Sequence, residues 1–326
     1  MVDVFKLIFA IAVVIIHTQL YSKCSDSFIW FLSALFTRLA VPFFMITSSY
    51  FLGIKIKEKG FDAFREYRKT LWPKLLFWGT LAIILNAIVW YKTSIDYFKT
   101  PLSVIQQILF YPKGAMWFIL ALIVSSYILE FFLKKKVSVI VVAIIALGLF
   151  IFALICNNYF FVIENSALGG IIKQYMHFCI SARNGVFLFI YMFIGYTISS
   201  GNLMKLDKKT YIIIVVFGYA LLLSESMLLH GVTTLDDSSL FISYLILVPG
   251  LLLLLLKFDL IIPHHKDMRN LSGVMYYTHP LFNLLLGTYL GMEYGIWIFL
   301  IVLSLTVIVW ICTKKGEKTY VKKILG

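Results

Sequence analysis

The sequence predicts an all-α, polytopic membrane protein: about ten transmembrane helices, both termini cytoplasmic, and a single integral-membrane domain over 1–326. Three observations predict this. First, 61% of the residues are hydrophobic and only 14% charged, with mean hydropathy +0.92. Soluble domains carry about 25% charged residues. Second, apolar stretches near the ~20 residues that cross a hydrocarbon core recur along the whole chain. Third, lysine and arginine alternate from loop to loop, as the inner and outer sides of a membrane require.

In chain order the apolar stretches predict spans near 4–20, 28–54, 71–91, 115–133, 137–156, 183–200, 211–229, 239–256, 271–290 and 295–312. No small-residue cleavage site follows the first, so it is expected to be retained as a span rather than removed as a leader. With the N-terminus inside, twenty-one of the 29 basic residues fall on the inner side, from Lys6 and the 55–69 loop to the tail after Cys312. Six (Lys23, Lys92, Lys99, Lys113, Lys173 and Arg183) fall outside, and Arg38 and Lys74 lie within spans. The net charge of +13 is therefore topology and attraction to anionic lipid rather than a nucleic-acid surface. The outer segments 92–114 and 157–182 are aromatic and apolar enough to fold back onto the membrane surface. Cys24, Cys156, Cys179 and Cys312 show no metal-type or redox-type spacing, and no metal is expected.

Ionisable residues inside spans are costly and so are paired or functional. The first span, FKLIFAIAVVIIHTQLY, holds Lys6 and His17 eleven residues apart. At 100° and 1.5 Å per residue they share a helix face and lie about 16 Å apart. A phosphate-sized charge handle thus stands at one end of a line and a proton acceptor at the other. Asp3, one turn from Lys6, is positioned to pair with it. Positive-inside anchoring alone explains Lys6, whereas an imidazole in an apolar setting needs a partner.

Further along, Arg65 and Arg68 in FREYRKTLWP share a face if that stretch is helical. They suit bidentate phosphate binding, or they are an ordinary basic loop. Arg38 lies near the middle of the second span, four residues before a helix-disturbing Pro42. It must face protein, water or an anion. Trp117 and Arg183 stand at outer ends of spans and fit interface anchoring or contact with a bound molecule. Glu225, in the outer part of the seventh span, orients an imidazole, holds an acceptor hydroxyl, or pairs with one of the intramembrane cations; the pattern leaves the three open. In SGVMYYTHPLF, Ser272, Tyr276 and His279 recur at spacings of four and three on one face, and Pro280 frees a backbone carbonyl.

Taken in order, DVFKLIFAIAVVIIHT, RLAVPFFMITSSYFL, FREYR, MWFILAL, RNGVF and SGVMYYTHPLF resemble the integral-membrane acyltransferase 3 family, with likeness also to the membrane domain of VanT-type serine racemases. The resemblance covers nearly the whole chain. It implies about ten helices and transfer of an acyl group, usually acetyl, from cytoplasmic acyl-CoA to a hydroxyl outside. The acceptor it implies is a cell-surface glycan or a lipid-linked precursor, and the place a bacterial plasma membrane. The family's basic-residue–x10–histidine motif falls on Lys6 and His17, with lysine where arginine is commoner. Its R-x-x-R motif falls on Arg65 and Arg68. The resemblance thus implies His17 as general base and Lys6, Arg65 and Arg68 as contacts for the CoA phosphates. Arg38, Trp117, Arg183, Glu225, Tyr276 and His279 are expected to line the substrate path. Two rival readings remain: a transporter of a small polar solute such as serine, suited by helices broken at Pro42 and Pro280, and a structural assembly partner.

Overall fold

The computed structural model describes residues 1–93, 116–175, 184–232, 240–258, 260 and 262–315. Among these, twelve α-helices are joined by short 3-10 turns, with no strand. They are α1 (Val2–His17), α2 (Asp26–Leu35), α3 (Ala40–Lys59), α4 (Asp62–Thr93), α5 (Met116–Lys134), α6 (Val139–Ile155), α7 (Ala167–Tyr175), α8 (Phe189–Ser199), α9 (Lys208–Leu229), α10 (Tyr244–Leu256), α11 (His265–Asn283) and α12 (Ile296–Lys315). A π-helical turn, Leu284–Tyr289, follows α11. Local signals set several ends: Ser138 Oγ accepts from Val141 N–H at the start of α6, and Asp207 Oδ1 from Thr210 N–H at the start of α9, as N-caps do.

Among the described residues, four helical segments are long and apolar enough to cross a membrane: Asp26–Lys59 taken through its joint, Met116–Lys134, Lys208–Leu229 and Ile296–Lys314. Val139–Ile155, Phe189–Ser199 and Tyr244–Leu256 are shorter apolar helices.

The second expected span, 28–54, is corrected in detail. It is not continuous: a 3-10 turn at Thr37–Leu39 separates α2 from α3. Pro42 is the third residue of α3, in a first turn whose N–H groups lack intrahelical partners anyway, so it is accommodated without a kink. The break falls at Arg38 rather than at the proline.

The chain forms two compact units, each discontinuous in sequence. The first comprises Met1–Ile29, Thr70–Trp117 and Leu260–Gly326. Here α1 lies against α11, and α12 against both. Phe9, Ala10, Ala12 and Val14 of α1 are buried, as are Val274, Met275, Tyr277 and Thr278 of α11 and Ile298, Val302 and Thr306 of α12. Trp78 stacks on Tyr277, centroids 5.8 Å apart.

Polar contacts fix the helix directions. His265 Nδ1 lies 3.0 Å from Asp3 Oδ2, and the His279 ring lies beside that of His17. Both pairs are offset by 262 residues, so α1 and α11 run parallel and in step. Conversely, Lys314 Nζ binds Asp267 Oδ2 at 2.8 Å and Thr306 meets Thr278 at 3.2 Å, so α12 runs antiparallel to α11.

The second unit comprises Trp30–Lys69 and Phe118–Asp259. Its centre is α3 against α8, with α10 packing on both and α9 on α10. Small residues allow close approach, as at membrane-helix interfaces. A Cβ on Gly195 of α8 would stand 2.2 Å from the Ile46 carbonyl oxygen of α3, and one on Gly218 of α9 2.8 Å from Leu247 Cα of α10. Ser49 Oγ donates to the Met192 carbonyl, and Lys57 Nζ to that of Ser199. In the segment after α6, Cys156, Phe160 and Ile172 form a buried apolar cluster.

Candidate functional site

The first unit gathers the histidine-centred candidates. α1 is continuous from Val2 to His17, so Lys6 and His17 keep the expected ~16 Å axial separation. Lys6 Nζ lies 3.5 Å from Asp3 Oδ1, the pair the spacing predicts. Because Asp3 also meets His265, one carboxylate joins Lys6 to the first turn of α11.

At the other end, the last residue of α1 is held by its backbone. The His17 carbonyl accepts from Asn283 Nδ2 at 2.7 Å, and the next carbonyl, Thr18, from Gly295 N–H at 3.0 Å. Thr18 Oγ1 turns back onto the Val14 carbonyl at 2.8 Å. The His17 side chain is partly buried, and its ring lies 5.1 Å from that of His279, centroid to centroid, with the planes at 44°. His279 is 1% exposed. Its Nδ1 is 2.8 Å from the Met275 carbonyl oxygen. A carbonyl can only accept, so Nδ1 carries the proton and Nε2 the lone pair. That Nε2 is buried and has no hydrogen-bond partner. Tyr276 lies against His279 at 6.4 Å between centroids, and Ser272, buried, donates to the Arg269 carbonyl. The sequence face of Ser272, Tyr276 and His279 thus forms, and the structure adds His17 to its far end. Asn283 is a participant the motif reading misses, although it stands one turn after His279. The π-turn begins directly after it, and such turns cluster at functional sites.

The basic and acidic candidates of the second unit have other surroundings. Arg65 is exposed. Arg68, one turn on, is 8% exposed, with Nη2 2.5 Å from Glu130 Oε2 and its guanidinium 3.9 Å from the Tyr127 ring centroid. Glu130 also binds Lys134 at 2.7 Å. The two arginines therefore split, one toward surroundings and one into an ion pair. The signal for that split is Glu130 itself, a carboxylate within an apolar helix, which needs a cation.

Arg38 sits in the 3-10 joint with Nε 3.3 Å from Ser33 Oγ. Glu225 is 8% exposed and accepts three hydrogen bonds: Tyr159 Oη at 2.6 Å, Ile242 N–H at 2.7 Å and Ser243 N–H at 2.9 Å. Since Ser243 is the N-cap of α10, the carboxylate caps a helix start, which the macrodipole favours. The hydroxyl that Glu225 holds in this structure is the protein's own Tyr159. Trp117, second residue of α5, is half-buried. Arg183 lies outside the described residues. Among the described residues, no cluster of metal-ligating side chains occurs.

Described residues whose only regular structure is helix, with apolar spans and a partly buried His17 set against a buried His279, define a membrane protein with a polar centre inside its helices. Its membership is specific: a family model described as an acyltransferase domain matches residues 2–314, and the chain belongs to that family. It is also similar to a serine/alanine racemase of Enterococcus gallinarum, 25% identical over 294 residues. The match covers 86% of this chain and 40% of that protein, so the chain spans about two-fifths of the length of that curated relative. No solved structure matches it.

Proposed function

We propose that this chain is a membrane O-acyltransferase moving an acyl group, acetyl foremost, from cytoplasmic acyl-CoA to a hydroxyl of a cell-surface glycan or lipid-linked precursor. His17 is the general base. It takes the hydroxyl proton as the oxygen attacks the thioester carbonyl; the C–S bond breaks, and the proton passes on to the CoA sulfur. Lys6 is proposed as a phosphate contact in the first unit. In the second, exposed Arg65 takes that role, while Arg68, tied to Glu130, holds its helix in place. Arg38, Trp117, Arg183, Tyr276 and His279 remain proposed lining residues.

The observation that carries the reading is the seating of His17: an imidazole at the end of an apolar helix, clamped at its carbonyl by Asn283 and set against a second, buried imidazole. Ten spans with cytoplasmic termini, in the bacterial plasma membrane, complete the proposal. The parallel course of α1 and α11 supports it, because spans one and nine of an alternating series run the same way, and antiparallel α12 fits span ten.

The test uses protein in lipid nanodiscs, labelled acetyl-CoA, and surface polysaccharide de-esterified by mild alkali from cells lacking the gene. Wild type is expected to release CoA and label the polysaccharide, and His17→Ala to do both at only a small residual rate. A His17→Ala protein that inserts normally and transfers at the wild-type rate refutes the assignment. The racemase likeness favours one second reading, a serine carrier. Serine uptake into protein-only vesicles without CoA would establish that instead.

A further inference from the structure

The geometry points to His279 as the positioning partner of His17: its Nε2 accepts the N–H of the His17 imidazolium that forms when His17 takes a proton. The inference rests on the acyltransferase reading above.

A general base needs somewhere to place the positive charge it acquires. In catalytic triads a buried carboxylate, hydrogen-bonded to the imidazole, does this. Among the described residues of the first unit, no buried carboxylate stands at this end. Among its described residues, Asp3 and Asp267 sit at the opposite end of α11, Asp26 is exposed, and Glu293 is exposed and paired with Lys23 at 3.1 Å. α11 offers Tyr276 and His279 near His17, and the titratable residues of α12 are Cys312 and the lysines of its last turn, at its far end.

His279 has the properties the role needs. Its Nδ1 proton is committed to Met275, so its free nitrogen is an acceptor. That acceptor is buried without a hydrogen-bond partner, an arrangement that costs stability unless it is used. The ring centroids are 5.1 Å apart. Two imidazoles sharing a straight N–H···N bond of ~2.9 Å have centroids about 5 Å apart. The bond therefore needs only ring rotation, not movement of either helix. The backbone bonds from Asn283 to His17 and from Gly295 to Thr18 hold that spacing. Proton balance is simple: one proton moves from the acceptor hydroxyl to His17 and then to the departing sulfur. His279 shares it by hydrogen bond and neither gains nor loses one over the cycle.

The test compares two substitutions in the same nanodisc assay, each first shown to be monodisperse. His279→Asn keeps an N–H for the Met275 carbonyl and deletes the acceptor at the Nε2 position; His279→Gln restores an acceptor there. We expect His279→Asn to lower kcat ~10- to 100-fold, in the range of lost outer-shell partners of an imidazole, with KM for acetyl-CoA unchanged. His279→Gln should recover most of the loss. In a His17→Ala background, His279→Asn should cost nothing further, because the two act as one unit. Three results overturn the inference and leave the acyltransferase reading standing: an unchanged His279→Asn rate, equal losses for Asn and Gln, or a loss that multiplies with that of His17→Ala. Absence of CoA release by wild type overturns the reading itself and the inference with it.

Discussion

Glu225 gives the sharpest test of the second unit. Its carboxylate accepts three hydrogen bonds, two of them from backbone N–H groups at the start of α10, and it is nearly buried. A hydrogen bond to a charged group contributes about 1.5–3 kcal/mol net, and an orphaned buried donor costs about 1–3 kcal/mol. Glu225→Leu leaves three donors unpaired, so the loss is expected at roughly 4–6 kcal/mol, allowing for non-additivity and partial hydration. Glu225→Gln keeps one carbonyl acceptor but turns an amide toward a donor, for about 2–3 kcal/mol. Tyr159→Phe removes one donor and leaves both backbone bonds, for about 1–2 kcal/mol. Thermal unfolding of purified protein in detergent, followed by tryptophan fluorescence and by loss of the monodisperse species, would rank them. The order Leu, Gln, then Tyr159→Phe is the prediction. A Glu225→Leu midpoint within a degree of wild type would refute the capping account.

Other consequences are testable the same way. Breaking the Arg68–Glu130 pair by Glu130→Gln alone should destabilise by about 3–5 kcal/mol, while Arg68→Met with Glu130→Leu should cost less than either change singly, because no buried charge is left alone; a double-mutant cycle on unfolding midpoints decides. Gly195→Ala should destabilise by about 1–3 kcal/mol, since the added methyl meets the Ile46 carbonyl and must push α3 and α8 apart; an unchanged midpoint would contradict that packing. The Asp267 carboxyl is held below its ordinary value, chiefly by the hydrogen bond from Lys314. Its contribution should therefore be present above pH ~4, the unfolded value, and fade as pH falls through the lower folded one. The gap in midpoint between wild type and Asp267→Asn should be constant from pH 7 to 5 and close in stronger acid.

Periodicity and composition made the helices legible: each of the ten apolar stretches coincides with helix in the described residues, apart from short end segments and the joint at Arg38. The placing of Lys6 and His17 on one continuous helix was equally legible, because helix geometry is local. What pattern reading misses are facts that depend on distant partners. Arg65 and Arg68 look equivalent in sequence, and only Glu130, 62 residues on, separates them. Glu225 looks like a site residue until the start of α10 arrives 17 residues later to occupy it. The break in the second span sits at Arg38 rather than Pro42, since a proline in a first turn displaces no hydrogen bond. Asn283 shows no motif at all; its meaning comes from a carbonyl 266 residues earlier in the chain.

The common offset of 262 residues between α1 and α11 makes the two helices a matched pair of rulers. Adding one residue between Asp3 and His17 would swing that imidazole about 100° around its axis and push it ~1.5 Å past its neighbour. The same addition placed between His265 and His279 would bring the marks back into line. Neither helix can change length alone, so fourteen-residue intervals at opposite ends of the chain are bound to vary together.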